Sequence, residues 1–187
     1  FRSELIEYYK GIFTILSSCA SRQLEEVTFR RTVIPVQELL DAAGKYFKKL
    51  MKNRPERIEL EIEPMEAKVI GDVNQLRFLL ENLIDEVLTV REDGVIRLQA
   101  RKDNEYIRFL FTDTRREKSV EELNQLFYPN LARMTSGEKG ELRGTEYLVC
   151  KQIIRDHDEF AGRRGCRINA EPAEGGGFTV YFTIPRR

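Results

Sequence analysis

The chain is poor in the residues that most often carry chemistry on their own. It has one histidine, three cysteines and no tryptophan in 187 residues. With His157 as the single imidazole, no Ser-His-Asp or Cys-His constellation is compelling. Cys19, Cys150 and Cys166 are odd in number and form no CxxC pair, which argues against a disulfide framework and a zinc site and points to a reducing compartment. A net charge is also missing, with 31 basic side chains balancing 31 acidic ones. No bulk attraction to nucleic acid or to a membrane surface is expected. The basic pairs Arg30–Arg31, Arg115–Arg116, Arg163–Arg164 and Arg186–Arg187 are isolated and read as solvated faces. No apolar run approaches the ~18 residues of a membrane span, so direct membrane contact is not expected of this stretch. A start at Phe1 without a signal-peptide pattern reads as a cytoplasmic fragment of a longer protein, whose own anchoring is left open. Internal repeats and low-complexity tracts are absent.

What is present suits a soluble globular domain, with 41% hydrophobic and 33% charged residues. The length allows one medium domain plus an appendage. Gly71–Leu88, GDVNQLRFLLENLIDEVL, is the stretch on which the rest is organised. Asp72 can cap a helix, with Gln75 three residues on in a capping-box arrangement. Leu76, Leu79, Leu80, Leu83, Ile84, Val87 and Leu88 then form one broad apolar face.

Around this helix, residues 1–26 predict a long helix. Leu5, Tyr8, Ile12, Ile15 and Cys19 recur at three to four, and part of it should pair with another chain. Val27–Ile34 predicts a strand, and Pro35 opens a helix over 35–52. Ile58, Leu60 and Ile62 alternate with Glu59, Glu61 and Glu63, a half-buried strand with an acidic outer face. Val69–Ile70 adds a short strand. Residues 96–111 read as an antiparallel hairpin turning at Asp103-Asn104, and Asp113 closes it. Ser119 and Glu122 can cap a short helix. Residues 130–143 show no period and predict a long loop. A helix over about 145–157 and a closing hairpin around Gly175-Gly176-Gly177 complete the chain. The order predicts an α+β fold, a two-layer α/β sandwich with one mixed, mainly antiparallel sheet and helices on one face.

Several stretches resemble one family, the catalytic ATP-binding (HATPase) domain of bacterial sensor histidine kinases within the GHKL superfamily. VIPVQELLDAAGKYF is similar to that domain's leading strand and first helix, and GDVNQLRFLLENLIDEVL to its N-box helix. IRFLFTDT ends where the family has its Asp-x-Gly-x-Gly motif, and VEELNQLFYP is similar to the F-box region. GTEYLVCKQIIRDH and RINAEPAEGGGFTVYFTIP resemble the last glycine-rich box with its helix and the closing hairpin. Order and spacing agree from about Val33 to Pro185. The resemblance implies a GHKL (Bergerat-type) ATPase fold over 27–187 and places 1–26 at the end of a helical dimerisation region.

The same alignment shows where this chain departs from the family. Asn82 is kept, while Glu86 falls at the magnesium position usually held by Asn. A carboxylate can ligate magnesium weakly, but it adds negative charge beside a triphosphate. Thr89 stands where a basic residue often follows. Asp113 matches the aspartate that accepts from the adenine amino group; equally, an Asp at a strand end suits capping of the turn. The two glycines expected after it are Arg115 and Glu117, whose long side chains would crowd the base. In the last box Leu142, Gly144 and Glu146 replace three glycines, and only Gly144 survives. His157 aligns at the end of the last helix, so it does not read as a phosphoacceptor; a polar group near a helix C-terminus is the plain role.

The vestigial nucleotide site implied by the resemblance is therefore Asn82, Glu86, Asp113 and Gly144, with Glu86 as the weak metal ligand and no catalytic residue assigned. The expected function is a degenerate histidine-kinase-like domain, a pseudokinase with poor or absent ATP binding, serving two-component-type signalling as a regulatory or dimerisation module. It would need no cofactor; ATP and Mg2+ would be its cofactors if the site were active. The alternative is a divergent but active catalytic domain. Expected partners are a second copy through the N-terminal helix and a response regulator or kinase, with no nucleic acid.

Overall fold

In the computed structural model, residues 2–24, 29–129 and 145–187 are described, the side chains of 14–24 excepted. The elements are α1 (Arg2–Leu24), β1 (Thr32–Pro35), α2 (Val36–Met51), β2 (Ile58–Ile62), β3 (Lys68–Gly71), α3 (Val73–Val87), β4 (Gly94–Asp103), β5 (Tyr106–Asp113), α4 (Val120–Asn124), α5 (Glu146–Phe160), β6 (Ile168–Pro172) and β7 (Phe178–Pro185).

Five strands form a mixed sheet in the order β2-β4-β5-β7-β6. Only β2 and β4 run parallel, because the whole of β3 and α3 lies between them in sequence. The β4–β5 and β6–β7 pairs are the two predicted hairpins. One expectation needs correction. Two of the first three strands do not join this sheet. Instead β1 and β3 form a separate antiparallel ribbon, which meets the chain just past β7 at a Val69–Arg186 bridge and through the Arg187 N–H, donating to the Lys68 carbonyl at 3.1 Å. The reason lies in the flanking residues. Pro35 removes a donor at the end of β1, and α2 begins at the next residue, which leaves too little strand for a sixth ladder partner.

Alternation fixes which face is covered. Ile107, Phe109 and Phe111 of β5 and Val180, Phe182 and Ile184 of β7 are buried, and Phe109 stacks on its register partner Phe182 with ring centroids 4.8 Å apart. The apolar faces of α2, α3 and α5 supply the other half of the core: Leu39, Leu40 and Phe47; Leu76, Leu79, Leu80, Leu83 and Ile84; Cys150, Ile153 and Ile154. At about 1.5–3 kcal/mol for each large side chain removed from water, this face is what fixes α3 in place.

The caps were legible only in part. The Asp72 carboxylate accepts from the N–H groups of Asn74 and Gln75, closing the N-terminus of α3. The reciprocal half of a capping box is not made: Gln75 is buried, and its side-chain oxygen has no partner among the described residues. At α4, Ser119 and Glu122 make both halves.

Candidate functional site

Asp113 ends β5 at the centre of the sheet, and α3 passes beside it. In the family that the sequence resembles, this carboxylate faces adenine. Here it faces Arg115. The Arg115 side chain is 1% exposed and that of Asp113 is 3% exposed. Arg115 Nε donates to Asp113 Oδ1 at 2.9 Å and Nη2 to Oδ2 at 3.1 Å, a bidentate fork. The Arg115 backbone N–H also donates to Oδ1 at 3.0 Å, so Asp113 does cap its own turn.

The remaining guanidinium hydrogens reach the end of α3 and the loop after it. Nη2 donates to the Val87 carbonyl, and Nη1 donates to those of Val90 and Glu92, each at 2.9 Å. All five donors of the fork are thereby used. A cation there also meets the negative end of the α3 dipole. Gly94 makes the space: its φ is +148°, and a Cβ would stand 2.5 Å from Arg115 Cγ. This corrects two expectations. Arg115 is not a solvated turn residue, and it does not project as a loose obstacle; it folds back onto Asp113. Arg116 does stay outside, in an exposed 2.8 Å pair with Glu92, and Glu117 is exposed.

On α3, Asn82 is buried and its amide donates back to the Phe78 carbonyl at 2.8 Å, one turn earlier. Thr89 Oγ1 donates to the Glu86 carbonyl at 2.7 Å. Glu146 lies in the first turn of α5, and its Oε2 is buried without a hydrogen-bond partner among the described residues. Burial, then the Glu146 and Glu86 carboxylates, push the Cys150 thiol up. Asp85 adds a third carboxyl, raised by burial and by Glu146 while the 2.6 Å bond from Tyr46 works the other way. Glu86 lies on α3 and Glu146 on α5, two helices that pack together. Gly144, Leu142 and the loop 130–143 lie outside the described residues. Among the described residues no group of three or more His, Cys, Asp or Glu is placed to hold a metal.

His157 was expected as a polar group at a helix end, and it is different in kind. It is fully buried. Nδ1 donates to the Ile153 carbonyl at 2.8 Å, and Nε2 accepts from the Asp72 N–H at 3.1 Å, which fixes a neutral ring. Desolvation pushes its pKa down to about 4. The Phe29 ring stands edge-on at 4.7 Å, and the Arg30 N–H donates to Asp72 Oδ2 at 3.0 Å. The segment after α1 is therefore tied to the start of α3 and the end of α5. Sequence reasoning missed this junction because its residues come from three distant stretches of the chain. It missed the Arg115 fork because an i, i+2 Asp-Arg pair is unremarkable until both are buried.

A helix layer on a mixed sheet, with the β5 aspartate beside the central helix, is the GHKL-type ATPase architecture. The family described as histidine kinase-, DNA gyrase B- and HSP90-like ATPase matches residues 71–187, well over half of the chain, and the chain belongs to it. No curated protein matches the chain. Among solved structures, the mycobacterial sensor histidine kinase MprB is similar with a TM-score of 0.65 at 17% identity, over 84% of this chain and 99% of that one. Histidine kinase ThkA in complex with response regulator protein TrrA gives a TM-score of 0.65 at 18% identity, over 95% of this chain and 49% of that one. Full-length ShkA in complex with AMPPNP gives 0.66 at 15% identity, over 91% of this chain and 36% of that one. At these identities the likeness establishes the fold. Among the described residues no helix is long and apolar enough to cross a membrane.

Proposed function

We propose that this is a histidine-kinase-like ATPase domain of a two-component-type signalling protein that binds ATP poorly or not at all and works as a regulatory or dimerisation module. The observation that carries the reading is the Asp113–Arg115 fork. Both carboxylate oxygens that would face an adenine amino group already accept from a guanidinium. Breaking a buried pair of this kind costs about 3–5 kcal/mol. A micromolar site has about 8 kcal/mol in total, so this one rearrangement consumes roughly half of it. Glu86 and Glu146 add two negative charges at positions where the resemblance puts the phosphates. The residues present therefore do not suit MgATP. Magnesium takes several oxygen ligands, and the resemblance assigns it one carboxylate here, Glu86.

The module would be joined to its partners through α1 and through whatever protein adjoins it, a second copy and a response regulator or kinase being the kinds expected from the family. Calorimetric titration with MgATP and MgADP tests the reading. No heat of binding up to millimolar nucleotide is expected, and micromolar binding of either overturns it.

A further inference from the structure

The five-stranded sheet has two edges, and they differ. At one, β6 is five residues long and ends at Pro172, which has no N–H, and α4 packs beside it. The other edge is β2, whose outer side carries no strand among the described residues. Its backbone parity can be worked out. Glu63 N–H donates to Leu98 of β4, and the Arg57 carbonyl accepts from Gly94. In a parallel ladder both groups of a residue point the same way. Glu59 and Glu61 therefore face β4 with their backbones. Ile58, Leu60 and Ile62 turn theirs outward, so the Leu60 and Ile62 N–H groups and the carbonyls of all three line the open edge.

The side chains beside that edge form two distinct strips. On the helix side a groove of about 740 Å3 runs between α2 and β2, with Phe47, Leu60, Ile62 and Pro64 among its walls. Gly44 keeps α2 close to the strand, since a Cβ there would come within 3.1 Å of Ile62. On the opposite face Glu59, Glu61 and Glu63 are all exposed. Glu61 pairs with Arg97 at 3.1 Å and Glu63 with Gln99 at 2.7 Å, while Glu59 has no partner among the described residues. A second copy pairing through its own β2 would set glutamates opposite glutamates, which is destabilising.

We propose that the open edge of β2 accepts, by strand addition, an extended segment of another protein whose residues alternate apolar and basic. Its backbone completes the ladder with Ile58, Leu60 and Ile62. Its apolar residues cover the half-buried Leu60 and Ile62 in the groove, and its lysines or arginines meet Glu59 and Glu61. This surface lies on a different part of the sheet from Asp113 and is independent of whether nucleotide binds.

The test uses the 187-residue chain and a synthetic octapeptide of alternating valine and lysine, followed by amide NMR and hydrogen exchange. Saturable binding with slowed exchange at the Leu60 and Ile62 amides is expected. The glutamate-for-lysine peptide should bind about tenfold more weakly or worse, and Glu59→Lys in the protein should weaken the lysine peptide by a similar factor. N-methylation of alternate peptide residues distinguishes pairing from simple charge attraction. Methylation on one edge of the peptide should abolish binding, whereas methylation on the other should leave it intact. Equal binding of both methylated peptides, or unchanged exchange at Leu60 and Ile62, overturns the proposal. Because most changes are made in the peptide, the result does not depend on a variant protein folding.

Discussion

At the scale of single residues, a buried ion pair and a buried histidine make this chain what it is. Arg115 neutralises Asp113 and closes the carbonyls after α3 at once. Removing one member leaves the other charged and unpaired in a dry site. Arg115→Ala should therefore cost about 3–5 kcal/mol of folding stability in urea titrations. Asp113→Ala should cost a similar amount. The double variant should lose clearly less than the sum of the two, because neither charge is then orphaned. If the two losses simply add, the fork does not hold the site together.

His157 behaves in the opposite way, as a base kept neutral. Its folded pKa is about 4, against an ordinary 6.5, because burial opposes the charged ring. The unfolded chain takes up a proton below pH 6.5, and the folded chain resists doing so until about pH 4. Stability is then complete above pH 6.5 and falls as the pH is lowered through that window, by about 3 kcal/mol in all at 1.36 kcal/mol per unit. Denaturant midpoints measured from pH 7.5 to 4 check this. His157→Leu leaves the Asp72 N–H unpaired, so it should be weaker at pH 7 and flatter across the window. Asp85, raised mainly by burial, acts in the opposite direction, since a carboxyl held above its ordinary value favours the folded state as the pH falls.

At the scale of elements, the strands and helices were largely legible and the contacts among them were not. The periodicity of Leu76, Leu79, Leu80 and Leu83 and the alternation in β5 follow from one face being buried, a property each segment carries by itself. The separation of β1 and β3 into a ribbon depends on the α2 start at Val36, and the Arg115 fork depends on space left by Gly94, features settled only when segments meet. The closing hairpin shows the same dependence. Gly175, Gly176 and Gly177 were readable as a turn, but Gly177 has a second role. With φ at +85°, its missing Cβ would lie 2.1 Å from the Asp113 carbonyl oxygen. Gly177→Ala should cost at least about 2 kcal/mol from backbone strain alone, while Gly175→Ala, with open space around it, should cost only the strain of its own positive φ. A thermal-melt comparison of the two variants separates turn geometry from the close approach to Asp113.

At the scale of the whole molecule, the domain and α1 have unequal claims on apolar surface. The domain buries its own core, but α1 presents Leu5, Ile6, Tyr9 and Phe13 to solvent, the last 72% exposed. At 100° per residue these four fall within a stripe about 100° wide, which is the face a helix pairs with. The segment after α1 is held to the ATPase fold at Asp72 and His157 through Arg30 and Phe29, so a helix pair at α1 would carry two such domains on short tethers. On the function proposed above, α1 would be the means of acting on a partner. Sedimentation over a concentration series should show self-association of the chain. Phe13→Glu, which puts a charge into the stripe, should weaken it by about tenfold or more, and Arg115→Ala should not change it beyond its effect on folding. A monomer at every concentration, or association indifferent to Phe13→Glu, would show that α1 does not pair through this face.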